Sequence, residues 1–162
     1  EIQLPVENSG VLSVLNTHLS AFAQSSNTME IQVEQVMDLM ARRLTQEYHH
    51  IILGGDFNLL PSSFSYNILD EKGKSYYNPN GTELAPLLKA FESIPSLENM
   101  NGEDHARWFT YSPNHVSGAL PNRTIDYLFY TESLTLVEQK VHTEGTLMIS
   151  DHLPVIGVFT LP

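Results

Sequence analysis

Ile51-Ile52-Leu53-Gly54-Gly55-Asp56-Phe57-Asn58 is a continuously apolar run that passes through two glycines into an acid and an amide. Such a run suits a strand buried on both faces. The glycines allow close backbone approach immediately before Asp56. Asp56 and Asn58 are two apart, so an extended backbone aims both side chains the same way. Either they form an Asx turn that only ends the strand, or they present a carboxylate and an amide donor at the strand's end for chemistry.

Three other segments repeat this arrangement: Asn16-Thr17-His18-Leu19, Thr124-Ile125-Asp126-Tyr127 and Ser150-Asp151-His152-Leu153-Pro154. Each places an acid or an imidazole where an apolar strand gives way to a loop. A rigid sheet can hold chemistry there without burying unpaired polar groups. Asp56, Asp126 and Asp151 offer hard oxygen ligands, and His18 and His152 offer nitrogens for proton transfer or phosphate contact. Mg²⁺ takes a few carboxylates and completes its shell with water and substrate oxygens, so the inventory suits metal-assisted attack on a phosphate ester. Zinc is poorly served, because the chain has no cysteine and no His-x-x-x-His pair.

Working outward, Ile2 to Val6 and Val11 to His18 flank the turn-rich Glu7-Asn8-Ser9-Gly10 and read as an antiparallel hairpin. After a polar loop from Ser20 to Ser26, Asn27-x-x-Glu30 has the form of a capping box. Val33, Val36, Met37, Met40 and Leu44 then recur at helical spacing, which predicts a helix from about Thr28 to Glu47 with Met37 and Met40 in the core. His49 and His50 fall at the helix-to-strand junction, where solvated or capping histidines are the common case. Pro61-Ser62-Ser63 opens a short helix over Phe64 to Leu69. Asp70 to Gly81 reads as a loop, Leu84 to Phe91 as a helix, and Ser93 to Arg107 as irregular. Trp108 to Tyr111, Thr124 to Tyr130, Leu134 to His142 and Val155 to Leu161 complete the expected strands. Within Thr124 to Tyr130 the alternation puts Asp126 on the face opposite Ile125 and Tyr127.

In order and content, the segments Asn16 to Leu19, Gly54 to Asn58, Thr124 to Tyr127 and Ser150 to Val155 resemble the carboxy-terminal motifs of the endonuclease/exonuclease/phosphatase superfamily. Asp56 through Pro61 and Ser62, with Arg107-Trp108-Phe109-Thr110, are most similar to uncharacterised bacterial members. The resemblance implies an α+β fold, the carboxy-terminal half of a DNase I-like two-sheet sandwich with a mostly antiparallel, mixed sheet flanked by helices. It implies a phosphoesterase using Mg²⁺, with Mn²⁺ as the alternative. Asp151 and Asp56 are then metal ligands, Asp56 positions or deprotonates the attacking water, and Asn58 donates to a phosphate oxygen. Asp126 orients His152, which acts as general base or phosphate contact, and His18 donates to the phosphate or to the leaving oxygen. Each has a plainer reading: a polar loop capping the last strand for Asp151 and His152, and a backbone-bonded strand end for His18.

Superfamily members are about twice this length, and their first halves supply an Asn and a metal-ligating Glu. Glu1 lies too close to the Val11 strand for that role, and Glu30 and Glu34 sit on the predicted helix. The 162 residues are therefore expected to be a single, incomplete domain whose missing amino-terminal half is its partner, and to be inactive or nearly so alone. A two-sheet parent would also leave one apolar sheet face uncovered.

A hydrophobic fraction of 41% in 162 residues fits one globular core. The formal net charge of −11 with only 8 basic residues opposes a broad nucleic-acid surface, since non-specific affinity comes largely from Lys and Arg releasing counterions. A small or lipid phosphodiester is thus favoured over long DNA or RNA. Arg123 could meet a substrate phosphate through its planar fork, and Trp108 either packs in the core or walls a substrate pocket. No apolar run reaches the roughly 20 residues of a membrane span, and with no cysteine the redox compartment is undetermined. The rival to catalysis is a binding module that kept the fold but not its activity. The intact set of Asp56, Asn58, Asp126, Asp151 and His152 speaks against it, because binding alone needs no such set. The carboxylates are also too dispersed for a single-loop cation site of the EF-hand kind.

Overall fold

A computed structural model of the chain describes residues 1–8, 10–22, 26–45, 49–80 and 83–161, and of His49 and His115 the backbone alone. Strands β1 (Ile2–Val6) and β2 (Gly10–His18) form the expected antiparallel hairpin, in register from Ile2↔Val14 to Val6↔Gly10. Helix α1 (Thr28–Leu44) carries the chain to β3 (His49–Asp56), which pairs parallel to β2. Parallel neighbours require such a crossover. Short helices α2 (Ser63–Asn67), α3 (Glu71–Lys74) and α4 (Ala85–Ala90) follow, then strand β4 (Glu92–Ile94) and α5 (Leu97–Asn101). Strand β5 (Asp126–Tyr130) enters antiparallel between β3 and β4, giving one sheet of order β1-β2-β3-β5-β4. Strands β6 (Thr135–Val141) and β7 (Val155–Thr160) make a separate two-stranded ribbon. The architecture is thus mixed α+β.

One sheet face carries the main core. Leu15, Ile51, Leu53, Tyr127 and Phe129 pack there with Met29, Val33 and Met40 of α1 and Leu87 of α4. Phe57, the residue between Asp56 and Asn58, is fully buried, with its ring 5.7 Å from Tyr127 and 5.2 Å from Phe129. Edge-on aromatic contacts of this kind add to the area each ring buries. On the other face Ile94, Tyr130 and Leu134 meet Leu136, Val155 and Phe159 of the ribbon, so the ribbon covers part of that face. Toward the β1 edge, Ile2 and Leu4 of that face stay 64% and 47% exposed. The alternation expected along β5 is observed, with Tyr127 and Phe129 in one cluster and Leu128 and Tyr130 in the other.

Several local expectations are corrected. Asn27 caps α1 without a side-chain hydrogen bond, so the predicted capping box does not form; Ser26 Oγ instead accepts from the Thr28 amide at 3.4 Å. The helix is assigned to Leu44, and residues 46 and 47 of the expected helix lie outside the described residues, as do Ser9 of the turn, 23–25 of the polar loop and Gly81. Asp70 to Gly81 contains α3, because the Asp70 carboxylate accepts from the Gly73 amide at 2.7 Å and starts a single turn. The stretch read as irregular holds β4, α5 with a reciprocal Ser96–Asn99 cap, and a 3₁₀ turn at His105–Trp108. Trp108 to Tyr111 is not a strand; only Tyr111 bridges, to Arg123 and His152. Ile52 is half-buried, so β3 is enclosed fully on one face and partly on the other. His50 is buried and bonded to Ser133 Oγ at 2.7 Å, not solvated.

Gly55 fixes how closely β2 and β3 approach at their functional end. Its φ is +155°, and a Cβ there would lie 1.9 Å from the Thr17 carbonyl oxygen. Relief requires backbone to move, not a side chain. Gly55→Ala is therefore expected to cost about 3 kcal/mol or more in urea unfolding, at the severe end of single substitutions. A loss under about 1 kcal/mol would show that the strands can part freely here.

Candidate active site

Three adjacent strand ends build the centre. His18 of β2 stands in register with Asp56 of β3, and Asp56 with Asp126 of β5. All three side chains project from the same sheet face. The fourth contributor, His152, arrives from the loop before β7, where the Leu153 amide donates to the Thr110 carbonyl at 2.7 Å and Tyr111 bridges to His152. His152 Nδ1 lies 3.0 Å from both Asp126 oxygens. Its Nε2 is 3.8 Å from Asp56 Oδ2, while His18 Nε2 is 3.3 Å from that same oxygen. The His18 side chain is 72% exposed, so its ring stands at the open edge.

Asp56 is held from below by its own turn. The Asn58 amide N–H donates to Asp56 Oδ1 at 2.8 Å, and Asn58 Nδ2 sits 3.3 Å from Oδ2 and donates to the Leu19 carbonyl at 3.0 Å. Asn58 has φ +52°, a left-handed conformation that Asn tolerates better than most residues. The Asx turn is thus real, and it aims the carboxylate at the histidines. Sequence reasoning gave no role to Thr110. Its fully buried hydroxyl donates to Asp126 Oδ2 at 2.6 Å and accepts from the amides of Ile125 and Asp126, both at 3.1 Å. The available signal was the run Arg107 to Thr110, which resembled family members before it had any structural meaning.

Electrostatics follow from this packing. Burial holds the Asp56 carboxyl above its ordinary range, and the facing Asp126 charge adds to that, against the Asn58 hydrogen bond. The hydrogen bond to Asp126 raises the His152 imidazole above its usual value despite partial burial, helped by the negative charges of Asp126, Asp56 and Asp151. Around them lies a cavity of about 330 Å³ lined by His18, Asp56, Asn58, Arg123, Asp151 and His152 among others. Asp151 faces this cavity but is not part of the Asp56, Asp126 and His152 group, whose ligand atoms lie within 4.8 Å of one another. Trp108 does not line it; the indole's residue serves through its carbonyl, which accepts from Thr124 Oγ1 at 2.7 Å. Two carboxylates and an imidazole fit a hard divalent cation that fills its shell with water and substrate oxygens. Asp126 already accepts from His152 and Thr110, while Asp56 and Asp151 both line the cavity.

Residues 23–152 match the sequence pattern of the Endonuclease/Exonuclease/phosphatase family. No curated protein matches the chain in sequence. Among solved structures, the chain is similar to an endonuclease/exonuclease/phosphatase from Beutenbergia cavernae, at 22% identity and TM-score 0.62, covering 98% of this chain and 38% of that one. An AP endonuclease from Archaeoglobus fulgidus superposes with TM-score 0.60 at 16% identity, over 93% of this chain and 62% of its own. The human Nocturnin catalytic domain, solved with bound sulfate, gives 0.56 at 18% identity, over 98% and 51%. These likenesses show the fold. The chain spans between 38% and 62% of the length of these three proteins.

The coupling of His152 to Asp126 is expected to show in the His152 titration followed by NMR. His152 should lose its proton above the ordinary histidine value of about 6.5, and Asp126→Asn should move that titration down. The stability contributed by the raised His152 imidazole is present below about pH 6.5 and disappears as pH rises through its higher folded value. An unchanged His152 titration in Asp126→Asn contradicts the coupling. Thr110→Val strands two backbone amides and should cost about 1–3 kcal/mol in denaturant unfolding.

Proposed function

Because this chain belongs to the Endonuclease/Exonuclease/phosphatase family, a family of phosphoesterases, we propose that it forms the catalytic part of a metal-dependent phosphodiesterase that activates water for in-line attack. The observation that carries this reading is the side-by-side placement of His18, Asp56 and Asp126, closed by His152 on Asp126. A binding module has no use for two apposed carboxylates and two histidines converging on one oxygen.

Asp56 positions the attacking water and takes its proton. The water oxygen bonds to phosphorus as the bond to the leaving oxygen breaks on the opposite side. His152, kept protonated toward neutral pH by Asp126, donates to a nonbridging oxygen as charge builds there. Asp126 fixes which ring nitrogen carries that proton and holds the ring's orientation. Asn58 orients Asp56 and stands beside the same oxygens, and the exposed His18 protonates the leaving oxygen. Asp56 and Asp151 are the residues that would hold Mg²⁺ or Mn²⁺, which when bound supplies charge neutralisation on the phosphate. The net charge of −11 favours a small or lipid phosphodiester over a long nucleic acid.

Hydrolysis of bis(p-nitrophenyl) phosphate by the longest available chain tests this. Turnover that needs Mg²⁺ or Mn²⁺ and falls by about 10²–10⁴-fold in His152→Ala is expected. Turnover indifferent to His152→Ala and to chelation would assign the hydrolysis to another site.

A further inference from the structure

The cavity beside the catalytic cluster contains a cation that the mechanism above leaves unused. Arg123 is 4% exposed, yet it lines this cavity together with Asp56, Asp151 and His152. Its Nε donates to Asn122 Oδ1 at 2.8 Å, and its guanidinium carbon lies 5.5 Å from the centroids of both the Tyr77 and the Tyr111 rings. Among the described residues, no carboxylate is within ion-pair distance of it. Burial raises the hydroxyl groups of Tyr77 and Tyr111 above their ordinary values, so neither ring carries a balancing charge near neutral pH. Aromatic faces, one amide oxygen and the neutral Tyr77 hydroxyl, to which the guanidinium hydrogen-bonds, are weak compensation for taking a full charge out of water.

The surroundings keep this guanidinium placed and accessible from the cavity. Gly73 makes room for it: a Cβ there would stand 3.2 Å from Arg123 Nη2 and 2.8 Å from the Asp70 carboxylate that caps α3. Tyr111 links it to the reacting groups. The His152 ring is 4.9 Å from the Tyr111 ring, so guanidinium and imidazole are separated by no more than these two ring spacings. That span suits two phosphates on one small molecule, the first at the cluster and the second at the arginine. Lys72 lines the same cavity and adds positive charge to its wall.

We infer that Arg123 is a specificity determinant that receives a second phosphate of the substrate, so that the preferred substrate is a small phosphoester carrying another phosphate group near the scissile one. This rests on the phosphoesterase reading, and a planar bidentate fork is the side chain suited to such an anion.

The test uses two probes that differ by one group: the p-nitrophenyl ester of thymidine 5′-phosphate, with and without a 3′-phosphate. With the longest available chain, the 3′-phosphate is expected to lower KM by about tenfold or more, the worth of one charge-assisted bidentate contact. R123Q should bring the two KM values together, and R123K, which keeps the charge but loses the fork, should retain only part of the preference. Equal KM values in the unmodified protein, or a preference that survives R123Q and R123K, would overturn the assignment. So would a pH-rate profile that shifts alike on both esters with the preference intact, since that marks an arginine acting only as counter-charge to the carboxylates. If neither ester turns over, the phosphoesterase reading fails separately, and calorimetric titration with thymidine 3′,5′-bisphosphate still decides the matter. About tenfold weaker binding by R123K supports the arginine site, and equal or absent binding in both proteins refutes it.

Discussion

Two carboxylates face each other across adjacent antiparallel strands, Asp56 on β3 and Asp126 on β5, and the rest of the site is arranged around keeping them there. Like charges placed directly opposite destabilise a sheet. Here the repulsion is offset by donors drawn from four places in the chain. The Thr110 hydroxyl and the His152 ring engage Asp126, while the Asn58 amide and the His18 ring approach Asp56. The two acids end up in different states. Asp126 is committed to a histidine and a threonine, whereas Asp56 keeps an oxygen facing both imidazoles and the open cavity.

The scaffold makes that arrangement rigid by separating anchoring from presentation within a few residues. Phe57 is buried between Tyr127 and Phe129, and the residues on either side of it, Asp56 and Asn58, turn toward the cavity. Tyr127, next to Asp126, does the same for β5, with its hydroxyl donating to the carbonyls of Leu59 and Thr124 at 2.9 and 2.8 Å. Each of the two acids is therefore adjacent to a core aromatic that cannot move without opening the core. Such support is what positioning-dependent chemistry requires.

Much of this was legible in the sequence because strand ends leave strong local signals. The apolar run to Gly55, the alternation along β5 and the helical spacing of Val33, Met37 and Met40 each report a period set by burial. The five residues His18, Asp56, Asn58, Asp126 and His152 stood out as polar groups at the ends of such runs. What stayed hidden depends on contacts distant in the chain. Thr110 matters only because Asp126 and Ile125 return to it, and Arg123 is revealing only once Tyr77 and Tyr111 are seen beside it without a carboxylate. The single-turn helix α3 and three-residue β4 were missed because elements that short hold no periodicity to read. The capping box failed for the opposite reason: a local pattern matched, but the Asn27 side chain makes no hydrogen bond to the helix.

The account stands on the claim that Asp56 and Asp151 give oxygens to a divalent cation beside an imidazole pair. Anomalous diffraction from crystals of the longest available chain grown with Mn²⁺ tests it most directly. The account predicts a manganese peak at the carboxylates of Asp56 and Asp151, with Asp126 still bonded to His152. Manganese bound elsewhere on the protein, with the cluster empty at saturating metal, would contradict it.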